Sequence, residues 1–268
     1  MNIALVTICI GESNLNRYDA FFSESHELYA KKCGYDCFVV TNYLGKTHSE
    51  SLIPLNKCLL CDRFKNYDYV LYVDPDVIIN FDLAPPVESC WDRTDRKIGL
   101  VTESQPHHAA RELVSFHNKR FLHPKYYYTL VEEEQTEPQL REVLHTGVLW
   151  LQPRYHAKLL RKIYHKYEKQ IMLCDSCNEQ TFMGFELYKY NMVTTMSSKW
   201  NALWTLNNMY FNKLRKEGIT LRKFYEMNYF VHMENLMVDP FKIREKKSNN
   251  IYLNCRMSND ISNQSGYL

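Results

Sequence analysis

An apolar, β-branched run that ends at two aspartates constrains this chain more than any other feature. The run covers Tyr69 to Val73, and Asp74, Pro75 and Asp76 follow it directly. Such a run predicts a buried strand, and because alternate residues of an extended chain face the same way, the two carboxylates should converge. Two hard oxygen ligands at the end of a strand suit a divalent cation that also holds phosphate oxygens. The alternative is a strand followed by an ordinary Asp-Pro turn with solvated carboxylates.

The composition excludes several classes of protein. Of 268 residues, 45% are hydrophobic and 24% charged, so most of the chain should fold around one substantial core. The net charge of +2 gives no electrostatic basis for binding nucleic acid, and we predict no nucleic-acid partner. Only 8 glycines are present, and neither a dinucleotide-binding nor a Walker-type glycine loop occurs. We expect one catalytic domain over residues 1–243 and a polar C-terminal tail over residues 244–268.

The sequence shows no sign of secretion or of a membrane span. Residues 3–8 already read as a strand with no signal peptide before them. No segment approaches the roughly 20 apolar residues of a transmembrane helix. The nine cysteines are an odd number without a secretory context for disulfides. These features predict a cytoplasmic protein.

Two pairs of cysteines have the spacing of zinc ligands. They are Cys58 with Cys61 and Cys174 with Cys177. The first pair lies within a helical pattern, and neither pair has the flanking glycine turns of a zinc knuckle. We therefore expect ordinary buried thiols rather than a zinc site.

Strands and helices alternate along the first half of the chain. The hydrophobic pattern predicts strands over 3–8, 36–41 and 69–73, separated by helices over 17–32, with a C-cap at Gly34, and over 53–65. This order predicts a parallel sheet whose ligands gather at the carboxyl ends of the strands, where Asp74 and Asp76 lie. The second half is less regular, with strands predicted over 97–102 and 146–151, a helix over 155–169 and a buried segment over 178–185.

Several short segments occur in the order seen in the sugar-nucleotide glycosyltransferases of the GT-A fold. They are residues 5–7, 55–60, 74–76, 146–148, 179–180, 199–201 and 230–232. The chain most closely resembles the retaining glycogenin type, glycosyltransferase family 8, with some likeness to the galactosyl/xylosyltransferases of family 34 over residues 29–36. The resemblance implies an α/β fold with a Rossmann-like mixed sheet flanked by helices, and a nucleotide and metal site at the carboxyl ends of its strands.

The resemblance also supplies a third metal ligand. His232 follows the apolar run Tyr229-Phe230-Val231, at the place where the family has a histidine that binds manganese. Two carboxylates and one imidazole suit Mn²⁺ better than Mg²⁺, because nitrogen is a softer ligand than oxygen; Mg²⁺ is the alternative. We therefore expect Asp74, Asp76 and His232 to hold Mn²⁺.

The donor site implied by the resemblance draws on most of these segments. Its expected residues are Val6, Thr7 and Ile8 through backbone groups, Tyr18 as a ring on which the base stacks, Lys57 as a charge near the ribose or diphosphate, Asp74, His145, Thr146, Gly147 and Lys242. Two of them depart from the family pattern. His145 stands where the family has asparagine, and Lys242 could replace the family's phosphate-binding lysine only if the loop before it is longer.

Glu179 and Gln180 are the expected catalytic residues, since they stand where the family has Asp-Gln. A carboxylate opposite the leaving diphosphate could stabilise an oxocarbenium-like transition state or attack it as a nucleophile. Glu179 could instead act as the general base of an inverting enzyme, or cap a helix that begins near Asn178. Trp200 and Asn201 are expected on the acceptor side.

The sequence thus predicts a metal-dependent glycosyltransferase. It would move a hexose or pentose from a nucleoside diphosphate donor, with UDP the first choice, to a glycan or another hydroxyl acceptor, and retention is implied by the resemblance alone. The alternatives are an inverting enzyme of the same fold, a catalytically inactive sugar-binding protein, and a phosphohydrolase of the haloacid dehalogenase type. That last family normally places its Asp-x-Asp strand first in the chain, which this chain does not.

Overall fold

The computed structural model describes residues 1–90, 95–103, 143–173 and 179–233. A six-stranded mixed sheet forms its centre, in the order β2-β1-β3-β6-β5-β7, and a small second sheet has the order β4-β9-β8. The strands are β1 (Ile3–Ile8), β2 (Asp36–Val40), β3 (Tyr69–Val73), β4 (Val77–Ile79), β5 (Ile98–Thr102), β6 (Leu144–Leu151), β7 (Val193–Thr195), β8 (Ala202–Leu203) and β9 (Phe230–His232).

The direction of the strands changes halfway along the chain. Strand β1 pairs in parallel with β2 and β3, as the alternating pattern predicts. Strand β6 runs antiparallel to both β3 and β5, so the sheet is mixed, as the resemblance implies. Because β6 is antiparallel to β3, its amino-terminal end lies beside the carboxyl end of β3. The pairing of Val73 with Val148 therefore brings Gly147 next to Asp74.

The helices are α1 (Glu12–Phe21), α2 (Ser23–Cys33), α3 (Leu60–Arg63), α4 (Pro153–Leu173), α5 (Glu179–Lys189), α6 (Trp204–Asn208) and α7 (Leu221–Met227). Short 3₁₀ helices cover Glu50–Leu52, Pro54–Leu59, Val87–Ser89 and Ser198–Asn201, and a π-helix covers Met209–Leu214. Within the described ranges, no helix is long and apolar enough to cross a membrane.

Two predicted helices differ from those observed. The helix predicted over 17–32 is two helices, α1 and α2, because the backbone leaves helical geometry at Phe22, whose side chain is buried. The segment predicted as a helix over 53–65 is mainly the 3₁₀ helix Pro54–Leu59. There the side-chain Nδ2 of Asn56 donates to the Leu52 carbonyl, and its Oδ1 accepts from the main-chain amide of Leu44. These bonds compete with regular helical geometry. The predicted cap at Gly34 is confirmed, with φ of 72°.

The two faces of the large sheet carry separate hydrophobic cores. Val70 and Tyr72 point toward the face covered by α4, α5 and the 3₁₀ helix Pro54–Leu59. Leu71 and Val73 point toward the other face, where α2 and the small sheet pack. In the small sheet Val77 pairs with His232, directly after the Asp74-Pro75-Asp76 turn. The second sheet therefore joins the chain near residue 232 to the carboxyl end of β3.

Candidate metal and nucleotide site

The turn between β3 and β4 is held by main-chain hydrogen bonds from three directions. The Asp74 amide donates to the Gly147 carbonyl at 2.7 Å, and the Met233 amide donates to the Asp76 carbonyl at 2.8 Å. Within the turn, the Val77 amide donates to the Asp74 carbonyl at 3.2 Å. The backbone on either side of the two carboxylates is thus fixed by β6 and by the end of β9.

Asp74, Asp76 and His232 form a cluster at this turn. His232 Nε2 lies 3.2 Å from Asp76 Oδ1 and 3.9 Å from Asp74 Oδ2. One ligand atom from each of the three side chains falls within 4.8 Å of the other two, which fits binding of a single cation. Among the residues that the structure describes, this is the one group of histidine, cysteine and carboxylate side chains with such a geometry.

The imidazole of His232 is oriented by Asn201. His232 Nδ1 lies 3.0 Å from Asn201 Oδ1, so Nδ1–H donates to that oxygen, and Nε2 is the ring nitrogen that faces the two carboxylates. This arrangement is the common one for a metal-binding histidine, in which an outer hydrogen bond selects the tautomer. Asn201 is fully buried. Asn201, predicted on the acceptor side, thus contacts a candidate metal ligand.

The absence of a side chain at Gly147 leaves room for the cluster of Asp74, Asp76 and His232. A Cβ atom at this position would lie 2.6 Å from His232 Cε1 and 3.0 Å from Asp74 Oδ2. The first distance is too short for a Cβ contact and the second is tight, so His232 or Asp74 would have to shift. Gly147, which the sequence predicted as a donor-binding residue, thus has a steric reason to lie beside the candidate metal ligands.

A cleft of about 420 Å³ opens in front of the cluster. Of the predicted site residues it is lined by Ile8, Lys57, Asp74, Asp76, His145, Glu179, Gln180 and His232. The cleft is also lined by residues that the sequence did not single out, which are Asn14 and Arg17 on α1, and Ile53 and Pro54. Asn14 and Arg17 are three positions apart on α1 and therefore share one helix face.

Lys57 is buried and connects the metal cluster to the predicted catalytic pair. Its Nζ donates to Glu179 Oε1 at 2.8 Å, to Asp74 Oδ1 at 3.3 Å and to the Thr146 carbonyl at 3.2 Å. Burial opposes its charge, but the Asp74 and Glu179 carboxylates outweigh that effect and raise the pKa of Lys57. The side chain is therefore charged and ion-paired to carboxylates, whereas the sequence predicted contact with the ribose or diphosphate.

Glu179 begins α5 with a nearly buried side chain. Its Oε1 accepts from Lys57 Nζ and, at 2.9 Å, from the hydroxyl of Thr146. Burial alone would raise the pKa of Glu179, but Lys57 and Thr146 lower it below the usual value. The carboxylate is thus ionised at the cleft wall. Beside it, Gln180 Oε1 accepts from the Thr146 amide at 3.3 Å.

His145 lies beside a buried acid that the sequence analysis missed. His145 Nε2 is 2.7 Å from Glu103 Oε1, and Glu103 has no exposed surface. The contact is a close approach of 2.7 Å between two buried side chains. A glutamate directly after the buried strand β5 was the available signal in the sequence.

Several predicted residues do not reach the cleft. Tyr18 is 1% exposed, and its ring packs edge-on against His26 in the core, so it offers no face to a base. Trp200 is 2% exposed and packs against Tyr229 and Phe230, which removes it from an acceptor site at this cleft. Val6 and Thr7 lie buried in β1.

Other predictions fall partly or wholly outside the described residues. These are Lys242, the tail over 244–268, and the pair Cys174 and Cys177. Cys58 and Cys61 are described and fully buried, and burial raises the pKa of Cys58 to about 12. Such thiols stay protonated at neutral pH, and a thiol binds zinc as a thiolate.

No protein-family model matches the sequence, and no curated protein sequence does. Solved structures do match. A glycosyltransferase involved in the glycosylation of the major capsid of PBCV-1 matches with a TM-score of 0.53 at 12% identity, over 91% of this chain and 98% of that chain. The galactosyltransferase LgtC, in complex with donor and acceptor sugar analogs, matches with a TM-score of 0.54 at 14% identity, over 87% and 86% of the two chains.

An active-site mutant of LgtC also matches, with a TM-score of 0.51 at 12% identity, over 98% of this chain and 93% of that chain. At such identities the likeness concerns the fold. The chain has the GT-A fold of these glycosyltransferases, which confirms the predicted fold class.

Proposed function

We propose that the protein is a metal-dependent glycosyltransferase that uses a nucleoside diphosphate sugar, with UDP as the nucleotide. The observation that carries this proposal is the Asp74, Asp76 and His232 cluster at the mouth of a cleft in a GT-A fold. In such sheets, ligands bind beyond the carboxyl ends of the parallel strands, which is where β1 and β3 end. LgtC, a solved protein of the same fold, holds donor and acceptor sugar analogs.

The three side chains fit a divalent cation of the Mn²⁺ type. They offer two carboxylates and one imidazole, and Asn201 keeps Nε2 of His232 available as a ligand. When bound, the cation would neutralise the charge that grows on the leaving diphosphate. Asp74, Asp76 and His232 would hold it there, while Lys57 is ion-paired to Asp74 through Oδ1.

Five of the residues that line the cleft suit a nucleoside. Ile8, Ile53 and Pro54 supply apolar surface for a base, and Asn14 and Arg17 supply polar groups. We assign these residues to the base and ribose, in place of the buried Tyr18. The sugar would then lie toward His145, Glu179 and Gln180 at the other side of the metal cluster.

Glu179 and Gln180 are the proposed catalytic residues. The ionised Glu179 carboxylate would stabilise positive charge at the anomeric carbon, since charge stabilisation by fixed groups is commonly a large contribution in such sites. We propose retention, and inversion with Glu179 as general base is the alternative. The anomeric configuration of the first product, read by proton NMR, distinguishes them.

A thermal-shift screen with UDP, GDP and CMP, each with and without Mn²⁺, tests the proposal. A ligand that binds only the folded state raises its stability, so the correct nucleotide should raise the melting temperature only when Mn²⁺ is present. Turnover of a panel of donor sugars then separates an enzyme from an inactive sugar-binding protein. If the protein binds nucleotide only with Mn²⁺ but neither transfers nor hydrolyses any donor sugar of the panel, the inactive sugar-binding protein is favoured.

We also keep the cytoplasm as the proposed location. This proposal rests on the sequence, whose nine cysteines are an odd number without a secretory context for disulfides.

A further inference from the structure

A fully buried histidine lies directly beneath the metal-binding turn. His26, on α2, has no exposed surface. Its Nε2 is 2.8 Å from the carbonyl oxygen of Val77, the residue that follows Asp76. On the other side of the ring, Nδ1 lies 3.1 Å from the hydroxyl of Thr7 and 3.3 Å from that of Tyr18.

The neighbours of His26 determine where its proton lies. The Val77 carbonyl can only accept, so Nε2 carries the hydrogen and Nδ1 is an acceptor. Burial lowers the pKa of His26 to about 4, which keeps the ring neutral at pH 7. The Tyr18 hydroxyl can donate a hydrogen bond to Nδ1, while the Thr7 hydroxyl donates to the Val73 carbonyl at 3.0 Å.

The network therefore reaches the turn at both ends. Val73 is the last residue before Asp74, and Val77 is the first after Asp76. Thr7 binds the carbonyl of the former and His26 that of the latter, while Thr7 and His26 contact each other. The remaining side of the turn is held by β6 and by the end of β9.

We propose that His26, together with Thr7, is a positioning element that sets the spacing of the Asp74 and Asp76 carboxylates for the cation. This inference rests on the metal site of the proposed function. The two carboxylates repel each other before a cation arrives, so the turn needs support from beneath to keep both oxygens near His232 Nε2. Outer groups that hold metal ligands in place commonly contribute tenfold or more to metal affinity.

His156 offers a matched control. It is equally buried, its Nε2 lies 2.9 Å from the Arg96 carbonyl, and its Nδ1 accepts from the Gln152 amide at 2.9 Å. It lies beyond Leu151, at the end of β6 opposite to the metal cluster. Removing either histidine should destabilise the protein, but only removal of His26 should affect the metal.

The test is calorimetric titration of Mn²⁺, without nucleotide, into wild type, His26→Leu, His26→Gln and His156→Leu, below the melting temperature of each. We expect His26→Leu to weaken Mn²⁺ binding by about tenfold and His156→Leu to leave it unchanged. His26→Gln, whose amide can donate to the Val77 carbonyl, should recover most of the loss.

Should His26→Leu fail to fold, Thr7→Val gives the same test with nearly constant volume, and we expect several-fold weaker binding. Equal Mn²⁺ affinity in wild type and in folded His26→Leu, or in Thr7→Val where His26→Leu does not fold, would overturn the positioning role. Equal losses in His26→Leu and His156→Leu would also overturn it, because the effect would then be one of general stability. A wild-type protein that binds no Mn²⁺ would instead refute the proposed metal site itself.

Discussion

At the scale of single residues, charge explains why this cleft suits a cation. The carboxylates of Asp74, Asp76 and Glu179 line the same cleft as the cations Lys57 and Arg17, and Lys57 is ion-paired to Asp74 and Glu179. Lys57 compensates one negative charge and is itself held by two of the acids. The excess negative charge at the cluster remains close to Asp76 and His232, on the open side of the turn. A divalent cation at that point balances it and leaves coordination positions for phosphate oxygens.

The space at Gly147 gives a residue-scale prediction. In Gly147→Ala, the new methyl group would push His232 or Asp74 out of the cluster, so Mn²⁺ affinity should fall by at least about tenfold. Val148→Ala is the control, because it removes buried volume from the next residue and should lower the melting temperature while Mn²⁺ affinity persists. Calorimetric Mn²⁺ titration of both variants decides it. Unchanged affinity in Gly147→Ala would mean that the cation lies elsewhere.

Glu179 gives a second prediction at this scale. Glu179→Gln keeps the shape of the side chain and removes the charge that faces the sugar, so kcat should fall by at least roughly a hundredfold. The Kd values for Mn²⁺ and UDP should stay nearly unchanged, since neither ligand needs this carboxylate.

Glu186→Gln controls for the loss of a buried, lysine-paired carboxylate on the same helix. Glu186 accepts from Lys166 and, at 2.6 Å, from the Tyr167 hydroxyl, and it does not line the cleft. Steady-state kinetics and melting temperatures of both variants separate the roles. If Glu179→Gln loses stability but turns over like wild type, then Glu179 is structural.

At the scale of elements, metal analysis tests the prediction that Cys58 and Cys61, on neighbouring helical turns, do not bind zinc. Cys58 lies in the 3₁₀ helix Pro54–Leu59 and Cys61 in α3, and both pack in the core beneath α4 and α5. Protein purified without added zinc should contain well under one equivalent. A stoichiometric zinc whose removal by a chelator unfolds the chain would contradict the assignment of buried thiols.

The elements also show what the sequence could and could not predict. The Asp74-Pro75-Asp76 turn and the strand before it depend on local patterning, and their positions were predicted correctly. The contact of Asn201 with His232 was not predicted, because spacing along the chain does not say which side of a short 3₁₀ helix faces β9. The ion pair of Lys57 with Glu179 was missed for a similar reason: the two residues are 122 positions apart in sequence. His26 gave no signal, since a lone histidine in a helical pattern is usually structural.

At the scale of the whole molecule, buried histidines should make stability depend on pH. Burial lowers the pKa of His26 from 6.5 to about 4 and also lowers that of His156. The unfolded chain therefore binds these protons at a higher pH than the folded chain does. In the pH window between the folded and unfolded pKa values, the free energy of unfolding rises with pH and falls on acidification. For His26 alone the loss is on the order of 3 kcal/mol once pH drops to its folded pKa.

Urea unfolding of wild type and His26→Gln across that pH window checks this expectation. The variant has no imidazole at position 26, so the slope of its unfolding free energy against pH should be shallower. Identical slopes in the two proteins would show that His26 is not a neutral buried group in the folded state.

The central claim is that the Asp74, Asp76 and His232 cluster binds a cation that in turn binds the nucleotide. Asp76 is the best residue to test. Asp74 also contacts Lys57 and the Tyr72 hydroxyl, and the loss of those contacts would obscure the effect on the cation. The measurement is calorimetric titration of UDP into wild type with Mn²⁺ and with a chelator, and into Asp76→Asn and the surface control Asp82→Asn with Mn²⁺. We predict binding to wild type and Asp82→Asn with Mn²⁺, and a loss of at least roughly a hundredfold with the chelator or in Asp76→Asn. UDP affinity that is the same in all four titrations would contradict the account.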